Sequence, residues 1–220
     1  ERTMDVFKMV MPGKLNTDLT EALQNQGVNA VGLSGVDGQL LSGRRKSAVR
    51  VVEDGKKKIK RGDHSGKITD VNAELLETLL DGGYTPVATV PMLADDGVPV
   101  NADADRAAAA VAGALGGELV VLTDVEGVYE DIDDPESLIS SASTPADLEA
   151  LKDAAEGFMT KKVMAATEAL EGGAAKVIVA DANVRDPITT ALGGGGTHVS
   201  PGVLGETTAD DVADAEEVAK

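Results

Sequence analysis

Strand-sized apolar runs alternate with helix-spaced ones along the chain, and that order predicts an α/β fold with a mostly parallel sheet. Residues 16–25 read as a helix that stops at Gly27, ahead of a strand over 30–33. Between 40 and 60 the pattern shortens to strands around Glu53-Asp54-Gly55, an acidic-glycine turn that suits a hairpin. Leu75, Leu76, Leu79 and Leu80 give a helix over 72–80 one apolar face, and 84–91 follows as a buried strand. The helix predicted over 105–115 is nearly all alanine and valine, so it should pack closely on more than one side. Residues 118–123 form the clearest strand. A polar connection over 133–145 leads to helical material over 146–170, broken near Gly157. A strand over 176–179 runs out at Ala180 and Asp181, and a short helix over 186–192 precedes the glycines 193–196. The chain opens on an apolar, helix-compatible run over 4–11. Its last 15 residues or so are acidic, poor in core formers and expected to be loosely attached.

Composition narrows the chemistry. The 220 residues suffice for one ordinary domain or two small ones sharing a sheet, with a real core. The chain has no cysteine, so disulfides, thiolate metal sites and cysteine nucleophiles are excluded from it, and only His64 and His198 are present as histidine ligands. No apolar run approaches the roughly 18 residues of a membrane span, and no signal segment opens the chain, which reads as cytoplasmic. The formal charge of −18, with 2% aromatics and acids in every segment, is the pattern of a halophile, whose carboxylate surface molar salt screens. That balance speaks against nucleic acid as a partner.

Three segments carry candidate chemistry. Val100-Asn101-Ala102-Asp103-Ala104-Asp105-Arg106 stands where a strand gives way to the alanine helix, a place where ligands collect in α/β sheets. The plain alternative is that Asp103 or Asp105 caps the helix. Leu122-Thr123-Asp124-Val125-Glu126-Gly127-Val128-Tyr129 closes the clearest strand, and its aspartate suits either a nucleotide pocket or a loop cap. Gly157-Phe158-Met159-Thr160-Lys161-Lys162-Val163 opens a helix with lysines where the macrodipole disfavours cations; a nearby anion would make sense of them, and a solvated pair is the bland reading.

In this order and spacing the three segments resemble the amino acid kinase family, most closely its acetylglutamate kinase branch, over about 4–203. Within it, Val36-Asp37-Gly38, Gly43-Arg44-Arg45-Lys46, Arg61-Gly62-Asp63, Met159-Thr160-Lys161-Lys162-Val163-Met164 and Ala180-Asp181-Ala182 look like the kinases that act on glutamate or aminoadipate held on a LysW-type carrier protein. The resemblance implies a three-layer α/β/α sandwich with a mostly parallel central sheet. It implies that Asn101 binds the amino-acid substrate and Asp105 holds the catalytic lysines, while Lys162 stabilises the transferring phosphoryl group. Asp124, Gly127, Tyr129 and Lys162 would bind nucleotide, with ATP as donor, Mg²⁺ held through its phosphates and no protein metal site. Gly196-Thr197 matches the family's closing turn. The glycines 193–196 read as a flexible connection rather than a phosphate cradle, since no Gly-Lys-Ser/Thr follows. A carboxylate is already a nucleophile, so such chemistry needs alignment and cations rather than a general base.

Family members begin with a strand bearing a lysine and a glycine pair, then a second glycine loop and a substrate-binding arginine. These are expected to be missing here, leaving the fold N-terminally incomplete and catalysis impaired. The expected divisions are 1–95, a substrate-binding and dimerising half that includes a basic hairpin over 40–67; 96–204, a nucleotide half; and 205–220, an acidic disordered tail. Between Arg44 and Lys67 stand ten lysines and arginines against three acids, so the remaining chain carries −18 − 7 = −25. Such a local reversal suggests a docking surface. The carrier in the resembling pathway is small and acidic, and Arg44, Arg45, Lys46, Lys56, Lys57, Lys58, Lys60 and Arg61 are the residues expected to steer it in. A solvated edge hairpin is the alternative. Resemblance also implies a homodimer. The expected activity is phosphorylation of the side-chain carboxylate of the carrier-linked amino acid. The alternatives are an N-acetylglutamate kinase and a nucleotide-binding fragment without activity.

Overall fold

The computed structural model describes residues 2–46, 48–53, 56–61 and 64–205, with backbone alone over 49–53 and 56–61. The turn at Asp54-Gly55, the side chains of Lys56, Lys57, Lys58, Lys60 and Arg61, and the acidic tail from 206 onward lie outside the described residues. Two compact units divide within a helix, at Val111/Ala112.

The first unit begins with α1 (Arg2–Lys8), a π-helical stretch (Met9–Leu15) and α2 (Asn16–Asn25), which run on without a break. The sequence suggested two separate helical pieces on either side of Pro12. Instead, the Asn16 N–H donates to Met11 O, five residues back. Pro12 has no N–H to give, and the wider ladder absorbs the missing donor. Strands β1 (Ala30–Gly35), β2 (Leu41–Arg45), β3 (Ala48–Glu53), β4 (Lys56–Arg61) and β5 (Gly66–Val71) precede α3 (Ala73–Asp81), β6 (Thr85–Ala94) and β7 (Pro99–Val100). The sheet runs β1-β6-β2-β5, with β7 on β6. The β1–β6 and β2–β6 pairs are parallel, and β2–β5 and β6–β7 are antiparallel. Strands β3 and β4 form the expected hairpin as a sheet of their own, Glu53 opposite Lys56.

Asn16 is buried and its Nδ2 donates to Val87 O at 2.7 Å, tying α2 to β6. Gly32 on β1 leaves room for it, because a Cβ there would overlap Asn16 Oδ1. The expected apolar face of α3 is only partly buried: Leu76 is 2% exposed, but Leu80, in the last turn, is 49% exposed. The buried part of β6 is its C-terminal half, Val90 to Ala94.

The second unit takes the end of α4 (Ala104–Leu115), then β8 (Glu118–Thr123), β9 (Ser141–Ala142), α5 (Pro145–Ala154), α6 (Phe158–Glu171), β10 (Lys176–Asp181), α7 (Pro187–Leu192) and β11 (Thr197–Val199). Its sheet runs β8-β10-β11-β9, parallel at β8–β10 and β11–β9. As predicted, α4 is buried on several sides, at Ala107, Ala109 and Ala112. Gly113 lets it lie on Gly172, whose backbone a Cβ would meet at 2.9–3.0 Å. Ile178, Ala180 and Ala191 form an apolar cluster with Val120 and Leu122 between sheet and α7. Among the described residues no helix is long and apolar enough to cross a membrane.

Thr144 and Asp147 form a reciprocal cap at the start of α5. Hydrogen bonds from the Ser143 N–H, then from the Thr144 hydroxyl and N–H, hold the Asp147 carboxyl below its usual range. A depressed carboxylate pKa contributes stability above the unfolded value, about 3.9, and loses it as pH falls through the folded one. Asp147→Asn is therefore expected to lower the melting temperature at pH 7. In melts repeated at falling pH, the gap from wild type should close as the wild-type Asp147 carboxyl becomes protonated in the folded protein as well as in the unfolded chain.

Candidate active site

Asn101 follows β7 and bridges in parallel to Ser65. Its N–H donates to His64 O at 2.7 Å, and its C=O accepts from the Gly66 N–H at 2.8 Å. The β6–β7 hairpin and the start of β5 thus fix its backbone while its side chain stays exposed. Two residues on, Asp103 is a helix cap: its Oδ1 accepts from the Arg106 N–H at 3.2 Å and its C=O from the Ala107 N–H. The bland reading of that residue is the right one. Asp105 stands in the first turn of α4, half-buried.

In the second unit, the loop after β8 is stitched down at several points. The Val128 N–H donates to Thr197 Oγ1 at 2.8 Å, and Thr197 is completely buried. Tyr129 bridges to Leu138, and the Glu130 N–H donates to Ser137 O. Gly127 is packed so tightly that a Cβ would stand 2.5 Å from Thr197 Oγ1 and 2.9 Å from Leu138 Cδ1. The Tyr129 hydroxyl donates to Glu126 Oε2 at 3.4 Å. Burial first, then the Glu126 charge, pushes its phenol above the ordinary range, so it stays a neutral donor at physiological pH.

Gly127 and Tyr129 line a cleft of about 360 Å³, whose other walls include Asp131, Asp153, Glu156 and Met159. Of the four nucleotide-site residues expected from the sequence, the cleft gathers these two. Asp124, exposed and accepting from the Thr123 hydroxyl at 3.1 Å, lies outside its lining, as does Lys162. Asp153 and Glu156, at the end of α5, went unnoticed in the sequence, where nothing sets them apart from the many other acids.

Gly157 stands at the N-cap of α6, with a positive φ of 54° that glycine adopts freely. Its first turn contains no acid. The two lysines there differ. Lys161 is exposed, with Nζ 5.9 Å from the centroid of the Phe158 ring, while Lys162 is half-buried. The glycines 193–196 are not a loose connection. Backbone hydrogen bonds from Gly193, Gly194 and Gly195 to Thr189, Ala191 and Thr190 wind them into the end of α7. Gly196 then turns tightly against Val179, at φ 87°. This turn delivers Thr197 to the loop it anchors.

An α/β fold with mixed, mostly parallel sheets, in which a strand-end loop, a cleft and a lysine-bearing helix start share one unit, belongs to a known class of phosphotransferase. Residues 1–181 match the amino acid kinase family. The "[LysW]-aminoadipate kinase" of Deinococcus radiodurans is 48% identical over 201 residues, covering 90% of this chain and 68% of that protein. The acetylglutamate kinase of Methanopyrus kandleri is 44% identical over 180 residues, covering 80% of this chain and 71% of that protein. Carbamate kinase from Giardia lamblia bound to AMP-PNP shares the fold, with a TM-score of 0.59 at 18% identity over 86% of this chain and 70% of that one. The chain belongs to the amino acid kinase family. It is thus a kinase, for which family membership implies ATP.

Proposed function

We propose that the protein transfers the γ-phosphoryl group of ATP to the side-chain carboxylate of glutamate or aminoadipate linked to a small acidic carrier protein, in arginine or lysine biosynthesis. The observation that carries this reading is the basic hairpin β3–β4, an island of positive charge in a chain of −18. The likeness to a kinase named for LysW-aminoadipate supports it. A free small substrate would have no use for the island, and an acidic carrier would be drawn to it.

The cleft beside Gly127 and Tyr129 suits the base and ribose of ATP rather than its phosphates, because Asp131, Asp153 and Glu156 would repel an anion. The phosphates fit better at the start of α6, which has no side-chain cap and no acid in its first turn, and where the helix dipole and Lys162 favour negative charge. Asp124 is assigned to the nucleotide side, Asn101 to the amino acid, and Asp105 to holding the lysines. Among the described residues no cluster of three His, Cys, Asp or Glu is placed to hold a metal. Mg²⁺ would be carried on the phosphate oxygens and supply charge neutralisation there. The substrate carboxylate attacks, ADP leaves, and an acyl phosphate is the product.

A homodimer through the first unit fits the exposed Val6, Met9, Val10 and Leu19 of the opening helices. An N-acetylglutamate kinase is the competing reading, favoured by the likeness to the Methanopyrus kandleri enzyme. Charge reversal separates the two. Lys46→Glu with Lys57→Glu and Lys58→Glu is expected to lower kcat/KM for the carrier-linked substrate ten-fold or more at low salt, and to leave N-acetylglutamate kinetics unchanged. An equal effect on both substrates, or none on either, would remove the carrier from the account.

A further inference from the structure

The β3–β4 hairpin and Asn101 share one root. Strand β6 pairs with β2 and β2 with β5; Ser65, just ahead of β5, bridges to Asn101, and β7, which Asn101 follows, pairs back with β6. These pairings close a ring. Gly66 faces its inside, where a Cβ would run into Met92 Cε and stand 2.9 Å from Cγ2 of Val100, both residues fully buried. The β3–β4 hairpin is inserted between two neighbouring members of the ring, leaving after Arg45 and returning before Gly66. At its root the Lys46 N–H donates to Ser65 O at 2.9 Å.

On the other flank of β2 stands the β6–β7 turn. The Asp95 N–H donates to Gly43 O at 2.9 Å, and the β2–β6 register, with Gly43 opposite Ala94, continues to bring Arg45 beside Asp96. Asp96 makes two bonds there. Its Oδ1 accepts from the Val98 N–H at 3.2 Å, which shapes the turn, and its Oδ2 accepts from Arg45 Nη1 at 3.4 Å. By charge alone, an acid at this place weakens the attraction for an acidic partner. Its use lies in the contact. We propose that Asp96 is a positioning residue for carrier-linked substrate: by holding Arg45 it fixes the root of the basic hairpin to the ring that bears Asn101, so that a carrier docked on the hairpin delivers its amino acid to that residue. This rests on the carrier reading and on Asn101 as the amino-acid contact. A free small substrate reaches Asn101 without the hairpin and does not depend on the pair.

The test is steady-state kinetics of Asp96→Asn, Arg45→Met and the double variant at low salt, with carrier-linked glutamate as substrate and N-acetylglutamate as its competitor. Asparagine keeps an oxygen for the Val98 N–H and gives up the charge that holds Arg45. Charge alone predicts a higher kcat/KM for the carrier-linked substrate in Asp96→Asn, because an acid is gone and Arg45 is unmasked. Positioning predicts the opposite sign. The expected result is a loss of about two- to five-fold, the worth of a half-exposed ion pair, with the KM for ATP, the Ki of N-acetylglutamate and the melting temperature little changed. In the Arg45→Met background, Asp96→Asn should cause no further loss. A gain in Asp96→Asn, no change, or a loss that adds fully to that of Arg45→Met would overturn the assignment while leaving the kinase and carrier readings intact. So would an equal weakening of N-acetylglutamate, which would make the turn a support for Asn101 alone. A wild-type protein that leaves the carrier-linked substrate unphosphorylated would end the carrier reading, and this assignment with it.

Discussion

Lys162→Met is expected to lower kcat by about 10²–10³-fold while changing the KM for ATP by much less. Removing one preorganised donor that meets charge developing in a transition state costs a factor of that size. Lys162 is the half-buried member of the pair that opens α6, in a first turn without an acid. In the proposed reading its charge meets the charge that develops on the transferring phosphoryl group. Lys161 is the built-in control: it is exposed and lies over the Phe158 ring, so Lys161→Met should change kcat by no more than a few-fold. Initial rates with MgATP, alongside thermal melts showing both variants folded, check the contrast. Equal effects at the two positions would place the phosphates elsewhere.

Gly127→Ala is the second change expected to act strongly, through sterics rather than charge. The added Cβ would stand 2.5 Å from Thr197 Oγ1, 2.9 Å from Leu138 Cδ1 and 3.0 Å from Thr197 N, two of them in the backbone or hydroxyl that anchor the loop. Something must shift, and the Val128 N–H to Thr197 Oγ1 bond is the nearest thing to give. Because the same loop lines the cleft through Gly127 and Tyr129, the KM for ATP should rise at least ten-fold, with the carboxylate KM little changed. Thr197→Val should reproduce the effect from the other side. It leaves the Val128 N–H unpaired in a buried place, at a cost of about 1–3 kcal/mol. Thr197→Ser keeps the hydroxyl and should stay near wild type in both nucleotide KM and melting temperature. A Thr197→Val protein with normal nucleotide affinity would separate the anchor from the cleft.

Much of the fold was legible because local signals agreed with tertiary structure. The helix over 16–25 and the strand over 118–123 fall on the predicted residues, and the alanine helix is buried on several sides. Where reading failed, hydrogen bonds and packing that the hydrophobic pattern does not encode decided. The run over 4–11 and the helix over 16–25 read as separate pieces, yet a π-type bond from Asn16 to Met11 joins them across Pro12. Leu80 completes an apolar stripe on paper and ends up half in solvent. The glycines 193–196 look flexible until their backbone bonds to α7 are seen.

Of the four nucleotide-site residues read from the sequence, the cleft gathers Gly127 and Tyr129 and leaves Asp124 and Lys162 outside its lining. Segments around Asn101, Gly127 and Lys162 stand out by composition at strand and helix ends, while Asp153 and Glu156 do not. In a chain with 38 acids, these two carry no signal of their own. Cleft geometry singles them out, and it is not a property of a local run of sequence.

Acyl phosphate trapping with hydroxylamine tests the central claim most directly, run in molar KCl with MgATP and offering carrier-linked glutamate, carrier-linked aminoadipate and N-acetylglutamate in parallel. Hydroxamate formed with a carrier-linked substrate, and not with N-acetylglutamate, is the expected result, and it names the amino acid. Hydroxamate from N-acetylglutamate alone, or from none of the three, would contradict the account.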